Sequence, residues 1–294
     1  MRSFLLPILF SCALTPVFAQ SAGVDYKVYS TTLKKEVTID DIVKDVVAGQ
    51  VLIFGEQHDD SIGHLLERNI FAALEGRFGK DLVLSMEMFH RDVQYIVDEY
   101  LAGQISEKNF IKEARAWDTY KSDYRPTVEF AKEHGLPVIA ANAPSRYTNL
   151  VTRKGLGALD GLSKEVKKKY IAPLPVDTLT GIYYDKFLEA MGGHTTPGMN
   201  LYQSQNFWDA TMSYSIAEAM KKNKHAVVFQ MNGRFHSEYH SGLAGRLERV
   251  YKKKVTTIST FAPADFAAPD WAAYAPLADY IIVTRPAVKK TEEE

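Results

Sequence analysis

The stretch Val51-Leu-Ile-Phe-Gly-Glu-Gln-His-Asp-Asp60, running straight into Ser61-Ile-Gly-His-Leu-Leu-Glu-Arg-Asn-Ile70, decides the fold. Val51 to Phe54 are apolar without alternation, which suits a strand buried on both faces. Gly55 to Asp60 turn polar and acidic and end it. Residues 61–78 then set Ile62, Leu65, Leu66, Ile70, Ala73 and Leu74 at helical spacing. Gly79 follows where a helix C-cap is expected.

The same unit repeats along the chain. Further apolar runs are Leu82-Val-Leu-Ser-Met86, Pro137-Val-Ile-Ala-Ala141, Ala226-Val-Val-Phe-Gln-Met231, Val255-Thr-Thr-Ile-Ser259 and Tyr280-Ile-Ile-Val-Thr284. Helical patterns cover 91–103, 106–116 and 124–134, the last closed by Gly135. Strands alternating with helices predict an α/β fold, with a mostly parallel central sheet flanked by helices. Residues 24–48 read as a small amphipathic entry segment with Tyr26, Val28 and Tyr29, then a helix near 39–48. Residues 155–223 break the rhythm and read as a helical insertion, or cap, over the sheet. One domain over 24–288 is expected, with a flexible tail at 289–294.

Composition narrows the function. The 294 residues carry 35 Lys and Arg against 36 Asp and Glu, a formal net charge of -1, which argues against nucleic-acid binding through a broad basic field. The single cysteine, Cys12, excludes a disulfide framework and a thiolate metal cluster. No Gly-rich phosphate loop supports nucleotide binding. Residues 1–19 join Arg2 to an apolar run from Phe4 to Phe18 and end in Ala19, the pattern of a secretory signal peptide cleaved after Ala19. Leu9-Phe-Ser-Cys12 is a poor lipobox, so lipid anchoring at Cys12 is the lesser alternative.

Polar residues follow directly on four of the apolar runs. Glu56 and His58 leave the first, Glu87 the second, Asn142 and Arg146 the third, and Arg234 and His236 the fourth. Ligands of an open parallel sheet bind outside the carboxyl ends of its strands, so these segments point at one edge. Glu56, His58, Glu87, Arg234 and His236 form a candidate catalytic set for general acid/base chemistry. Glu56, His58 and His236 could alternatively hold a divalent metal. A purely structural alternative pairs Glu87 with Arg146 or Arg234 at the sheet edge. A second candidate lies in the insertion. Gly192, Gly193, Pro197 and Gly198 predict an exposed, mobile loop holding His194, Met199 and Tyr202, close in sequence to Tyr183 and Tyr184. Such an apolar, aromatic surface suits a flat hydrophobic ligand, and a tyrosine phenolate is one of the side chains that hold haem iron.

Five blocks carry a family resemblance: Gly55-Glu-Gln-His-Asp-Asp60, Ser85-Met-Glu-Met-Phe89, Ala140-Ala-Asn-Ala-Pro144, Gln205-Asn-Phe-Trp-Asp-Ala-Thr-Met212 and Asn232-Gly-Arg-Phe-His236. Over about residues 45–285 the chain resembles the ChaN family of iron-regulated bacterial haem-binding lipoproteins. That family belongs to a broader group similar to the Tiki metalloproteases and the erythromycin esterases. The resemblance implies an exported protein of the periplasm or outer membrane, active in haem and iron uptake. It implies a homodimer formed on haem binding, in contact with an outer-membrane haem receptor system. It also implies haem iron ligated by a tyrosine: Tyr202 first, with Tyr183 and Tyr184 as alternatives and His194 and Met199 beside it. A binding protein is therefore expected ahead of an enzyme. The alternative is an esterase or peptidase built on the strand-end Glu and His residues.

Overall fold

All six apolar runs are strands, and the sheet is parallel where they meet. The structure, a computed structural model, describes residues 25–286. The signal peptide expected at 1–19, Cys12 and the tail 289–294 lie outside the described residues. The strands are β1 (Tyr26–Ser30), β2 (Lys35–Val37), β3 (Gln50–Glu56), β4 (Leu82–His90), β5 (Val138–Asn142), β6 (Val227–Gly233), β7 (Lys254–Phe261) and β8 (Tyr280–Thr284). They form one sheet in the order β2-β1-β8-β7-β3-β6-β4-β5. The entry segment supplies a hairpin, β1 and β2, whose first strand runs antiparallel to β8 with Val28 opposite Ile282.

The helices are α1 (Ile39–Asp45), α2 (Ser61–Phe78), α3 (Gln94–Leu101), α4 (Glu107–Glu113), α5 (Tyr120–Asp123), α6 (Arg125–Glu133), α7 (Ser145–Lys154), α8 (Lys164–Tyr170), α9 (Ile182–Ala190), α10 (Leu201–Lys222), α11 (Gly242–Arg249) and α12 (Trp271–Tyr274). Every residue of β3 and of β6 is buried. Alternation along β3 sorts its side chains between two cores. Leu52 and Phe54 pack with residues of α2, α3, α4 and α6, whereas Val51 and Ile53 pack with α10 and α11. The insertion begins earlier than the sequence suggests. Ser145 and Arg146 open α7, and α7, α8 and α10 pack around a third core of Ala143, Val151, Leu159, Ile171 and Phe207.

Helix α2 follows its predicted span but not its predicted face. Asp60 caps it, accepting from the Ile62 amide at 3.1 Å. Leu65, expected in the apolar stripe, is 58% exposed, while His64 and Glu67 are buried. Glu56 sits two residues beyond Phe54 on the same face of β3, so the strand end meets α2 with a carboxylate. The helix turns its polar pair inward to answer it.

The close approach of β3 to its neighbours fixes what residue 55 can be. A Cβ on Gly55 would stand 2.9 Å from Arg234 Cα and 2.9 Å from the Ile258 carbonyl oxygen, both backbone atoms. Gly55→Ala should cost about 1–3 kcal/mol of stability. Gly76→Ala, in open space within α2, should gain about 0.5–1 kcal/mol. Urea unfolding of the two variants checks this. Equal midpoints would show that the strands are not so tightly apposed at Gly55.

Candidate functional site

The site forms where the strand order reverses. The chain runs from β3 outward to β4 and β5, returns to β6 between β3 and β4, then crosses to β7 and β8. At such a switch point the carboxyl ends of neighbouring strands splay apart and leave a crevice. Here β3 ends in Glu56, β6 in Gly233, and Glu87 stands one residue beyond the last β4–β6 pair, Met86 with Met231.

The expected residues Glu56, His58, Glu87, Arg234 and His236 converge there, but as two linked groups. On the α10 side, His236 is buried between two carboxylates, with Nδ1 2.6 Å from Asp209 Oδ1 and Nε2 3.5 Å from Glu87 Oε1. Burial pushes this imidazole down, but Glu87 and Asp209 outweigh it and hold it up to about 10. Burial pushes Glu87 up, and His236 with the Gly233 amide, donating at 2.8 Å, leaves it below the usual carboxylate range. On the α2 side, His58 Nδ1 lies 2.6 Å from Glu56 Oε1, which also accepts from the Tyr124 hydroxyl at 2.7 Å. The hydrogen bond to Glu56 raises His58 against the opposing effect of burial. His58 spans toward the other group: a Cβ on Gly233 would stand 2.8 Å from its Nε2 and 3.8 Å from Glu87 Oε2.

A cleft of about 680 Å³ opens over this edge, lined among others by His58, Lys186, Arg234, His236 and Glu238. Lys186 of α9 donates to Glu238 Oε2 at 3.0 Å and to the Phe235 carbonyl at 2.8 Å. Burial lowers Lys186, only partly offset by Glu238. Arg234 Nε lies 3.3 Å from Glu238 Oε1. The ion pair weighed between Glu87 and Arg146 or Arg234 is not formed. Arg146 pairs with Asp92 and Arg234 with Glu238, while Glu87 takes His236.

The donor atoms of Glu56, His58 and His236 do not gather into one metal-ligand set among the described residues, His236 standing apart between Asp209 and Glu87. The donors gathered most closely among the described residues are those of Glu56, His64 and Glu67, within 4.8 Å of one another. Burial, and next the charge of Glu56, raise Glu67 well above the usual carboxylate range. His64 and Glu67 stand three residues apart on α2, and that spacing was their only signal in the sequence. Asp209 appeared in the sequence only as a member of the Gln205–Met212 block of the resemblance, and Lys186 and Glu238 gave no signal.

The aromatic candidates lie beside the cleft. Tyr183 is 1% exposed, and its hydroxyl donates to Asp209 Oδ2. Burial and then Asp209 raise this phenol well above its ordinary value. Tyr202 donates to the Leu179 carbonyl, its ring 4.9 Å from those of Tyr184 and Phe187, and burial raises it too. Tyr184 is 36% exposed. Tyr184, Phe187, Met191, Met199 and Tyr202 line an open groove of about 260 Å³. His194 is exposed in the loop between α9 and α10, where Gly192, Gly193 and Gly198 all have positive φ.

Comparison with known proteins agrees with this architecture. The family described as haem-binding uptake, Tiki superfamily, ChaN matches residues 42–247, from α1 through α11. The solved ChaN of Campylobacter jejuni, described as binding heme cofacially, superimposes with a TM-score of 0.64 at 17% identity, over 90% of this chain and 98% of that one. That similarity is one of fold. An erythromycin esterase in its open conformation aligns more loosely, with a TM-score of 0.47 at 10% identity, over 91% of this chain and 85% of its own. The chloroplastic protein RETICULATA-RELATED 5 of Arabidopsis thaliana is 23% identical over 199 residues, 63% of this chain. The chain spans about a quarter of the length of that relative, 26%. The family match runs over most of the chain and takes in both groups of candidate residues, so the chain belongs to the ChaN-type haem-binding uptake family of the Tiki superfamily.

Proposed function

We propose that the protein binds haem in an exported uptake system, with the porphyrin laid against the groove of Tyr184, Phe187, Met191, Met199 and Tyr202. The observation that carries this is the groove itself, an aromatic and thioether surface beside an exposed phenol. Its volume of about 260 Å³ suits one face of a flat ring rather than full enclosure. A second copy of the chain would cover the other face, which fits the cofacial heme binding of the Campylobacter ChaN. Ferric iron takes tyrosine as phenolate, so the ligand must release its proton. Tyr183 and Tyr202 are poorly placed for that, since burial raises both and both donate to other groups. Tyr184 makes no side-chain hydrogen bond among the described residues and is the favoured ligand, with His194 and Met199 at the rim. Location in the periplasm or at the outer membrane, and delivery through an outer-membrane receptor system, belong to the same reading.

The cleft supports a second reading, a hydrolase of esters or peptides. Glu56 holds His58 through Nδ1 and leaves Nε2 toward the cleft, the arrangement of an oriented general base. His236, charged between Asp209 and Glu87, and Arg234 could stabilise an oxyanion.

Hemin titration of the full chain should give a saturable Soret shift, a phenolate-to-iron charge-transfer band, and dimer formation on size exclusion. Tyr184→Phe should remove the band and Tyr202→Phe should retain it. The reverse result would move the ligand to Tyr202, and no effect of either would move haem away from the groove. Turnover of generic esters or peptides, lost in His58→Asn while hemin binding persists, would make the cleft an active site.

The charge on His236 also predicts how stability follows pH. Its folded value, about 10, exceeds the unfolded value near 6.5. Its contribution is therefore complete below about pH 6.5 and is lost as pH rises through about 10. His240, raised to about 10 by Asp279 and Glu248, acts in the same window. Urea midpoints should fall between pH 7 and 10, less steeply in His236→Gln, and least in the His236→Gln, His240→Gln double variant. A wild-type midpoint flat across that range would mean the imidazole is neutral in the folded protein.

A further inference from the structure

On the α2 side of the sheet edge, three buried acceptors face one another. Glu67 is fully buried and Glu56 is 2% exposed. Glu67 Oε1 and Glu56 Oε2 have no hydrogen-bond partner among the described residues. His64 Nδ1 lies 3.0 Å from Glu67 Oε2 and 3.9 Å from Glu56 Oε2. The other ring nitrogen, Nε2, lies 3.1 Å from the His58 carbonyl oxygen. A carbonyl only accepts, so Nε2 carries a hydrogen, and the tautomer with its other nitrogen bare presents a lone pair to the carboxylates. Nitrogen and oxygen lone pairs meet at such distances when a proton or a metal cation stands between them, and two of the four carboxylate oxygens are left for a cation to hold.

We propose that Glu56, His64 and Glu67 bind a first-row divalent cation of the zinc or manganese class. One imidazole and two carboxylates suit these borderline ions. Two donors held tetrahedrally about 2.1 Å from zinc stand about 3.4 Å apart; the observed 3.0 and 3.9 Å bracket that spacing. The outer contacts are those of metal sites. A ligating histidine normally donates its second N–H to a backbone carbonyl, and a ligating carboxylate is itself hydrogen-bonded. His64 donates to His58, and Glu56 Oε1 accepts from Tyr124. Asp123 Oδ2, 3.8 Å from His64 Nε2, adds negative potential. This centre is separate from His236, which lies on the α10 side between Asp209 and Glu87. It would tie the end of β3 to the first turns of α2.

The test uses the full chain stripped with EDTA, then titrated with Zn²⁺ and with Mn²⁺. Bound metal is measured by elemental analysis and stability by thermal melting. One equivalent of one ion per chain is expected, with a raised melting temperature. In Glu67→Gln and His64→Gln, the affinity should weaken by more than about tenfold. His236→Gln and Tyr184→Phe should keep the full equivalent. Using both ligand variants keeps the test informative if one of them does not fold. Metal lost in His236→Gln but kept in Glu67→Gln would place it in the cleft and overturn the proposal. So would a wild type that takes up neither ion; a Glu67→Gln that then melts higher would assign the cluster to a proton shared between Glu67 and Glu56.

Discussion

The buried contact of Asp209 with His236 joins this protein's two halves. Asp209 belongs to the insertion and His236 to the end of β6, and Glu87 of β4 completes the row. Three ionisable groups in a dry interior are costly unless each is paired. Here the imidazolium stands between two carboxylates, the Gly233 amide donates to Glu87, and the Tyr183 hydroxyl donates to Asp209. Removing any one partner would leave a buried charge unmet. The arrangement therefore fixes how α10 lies across the sheet, and with it the cleft and the aromatic groove on either side.

The sheet divides the chemistry between its faces. Glu56 follows Leu52 and Phe54 onto the α2 face, while Glu87 meets His236 and Asp209 on the α10 face. Only His58, at the open rim, reaches toward both. Gly233 leaves room for that ring, since a side chain there would collide with it. One strand-end motif thus feeds two differently buried groups, one open to the cleft and one enclosed beneath it.

Much of the fold was legible because it rests on periodicity. Six apolar runs without alternation marked strands buried on both faces, and the 61–78 stripe marked α2 to its full length. The convergence of Glu56, Glu87 and His236 was legible too, because parallel strands deliver their carboxyl ends to one edge. What was not legible depends on three-dimensional pairing. Leu65 looked like core and is exposed, because the face α2 buries was set by Glu56 across the interface and not by the helix's own hydrophobicity. Asp209 lies more than twenty residues from its partners, so no local spacing announces it. Among Tyr183, Tyr184 and Tyr202, composition gives no order. Their differences come from burial and from the groups their hydroxyls meet.

The two polar groups also differ in how far apart their members lie along the chain. Glu56, His64 and Glu67 fall within one strand–turn–helix unit, so they meet as soon as β3 and α2 dock. Loop closure over so short a segment costs little entropy. Glu87, Asp209 and His236 come from segments separated by more than a hundred residues at their widest, and they meet only when the insertion and β6 are both in place. During folding the first group can assemble before the second is made. A folding chain would thus pass through a stage in which β3 and α2 are docked while the cleft has only one wall.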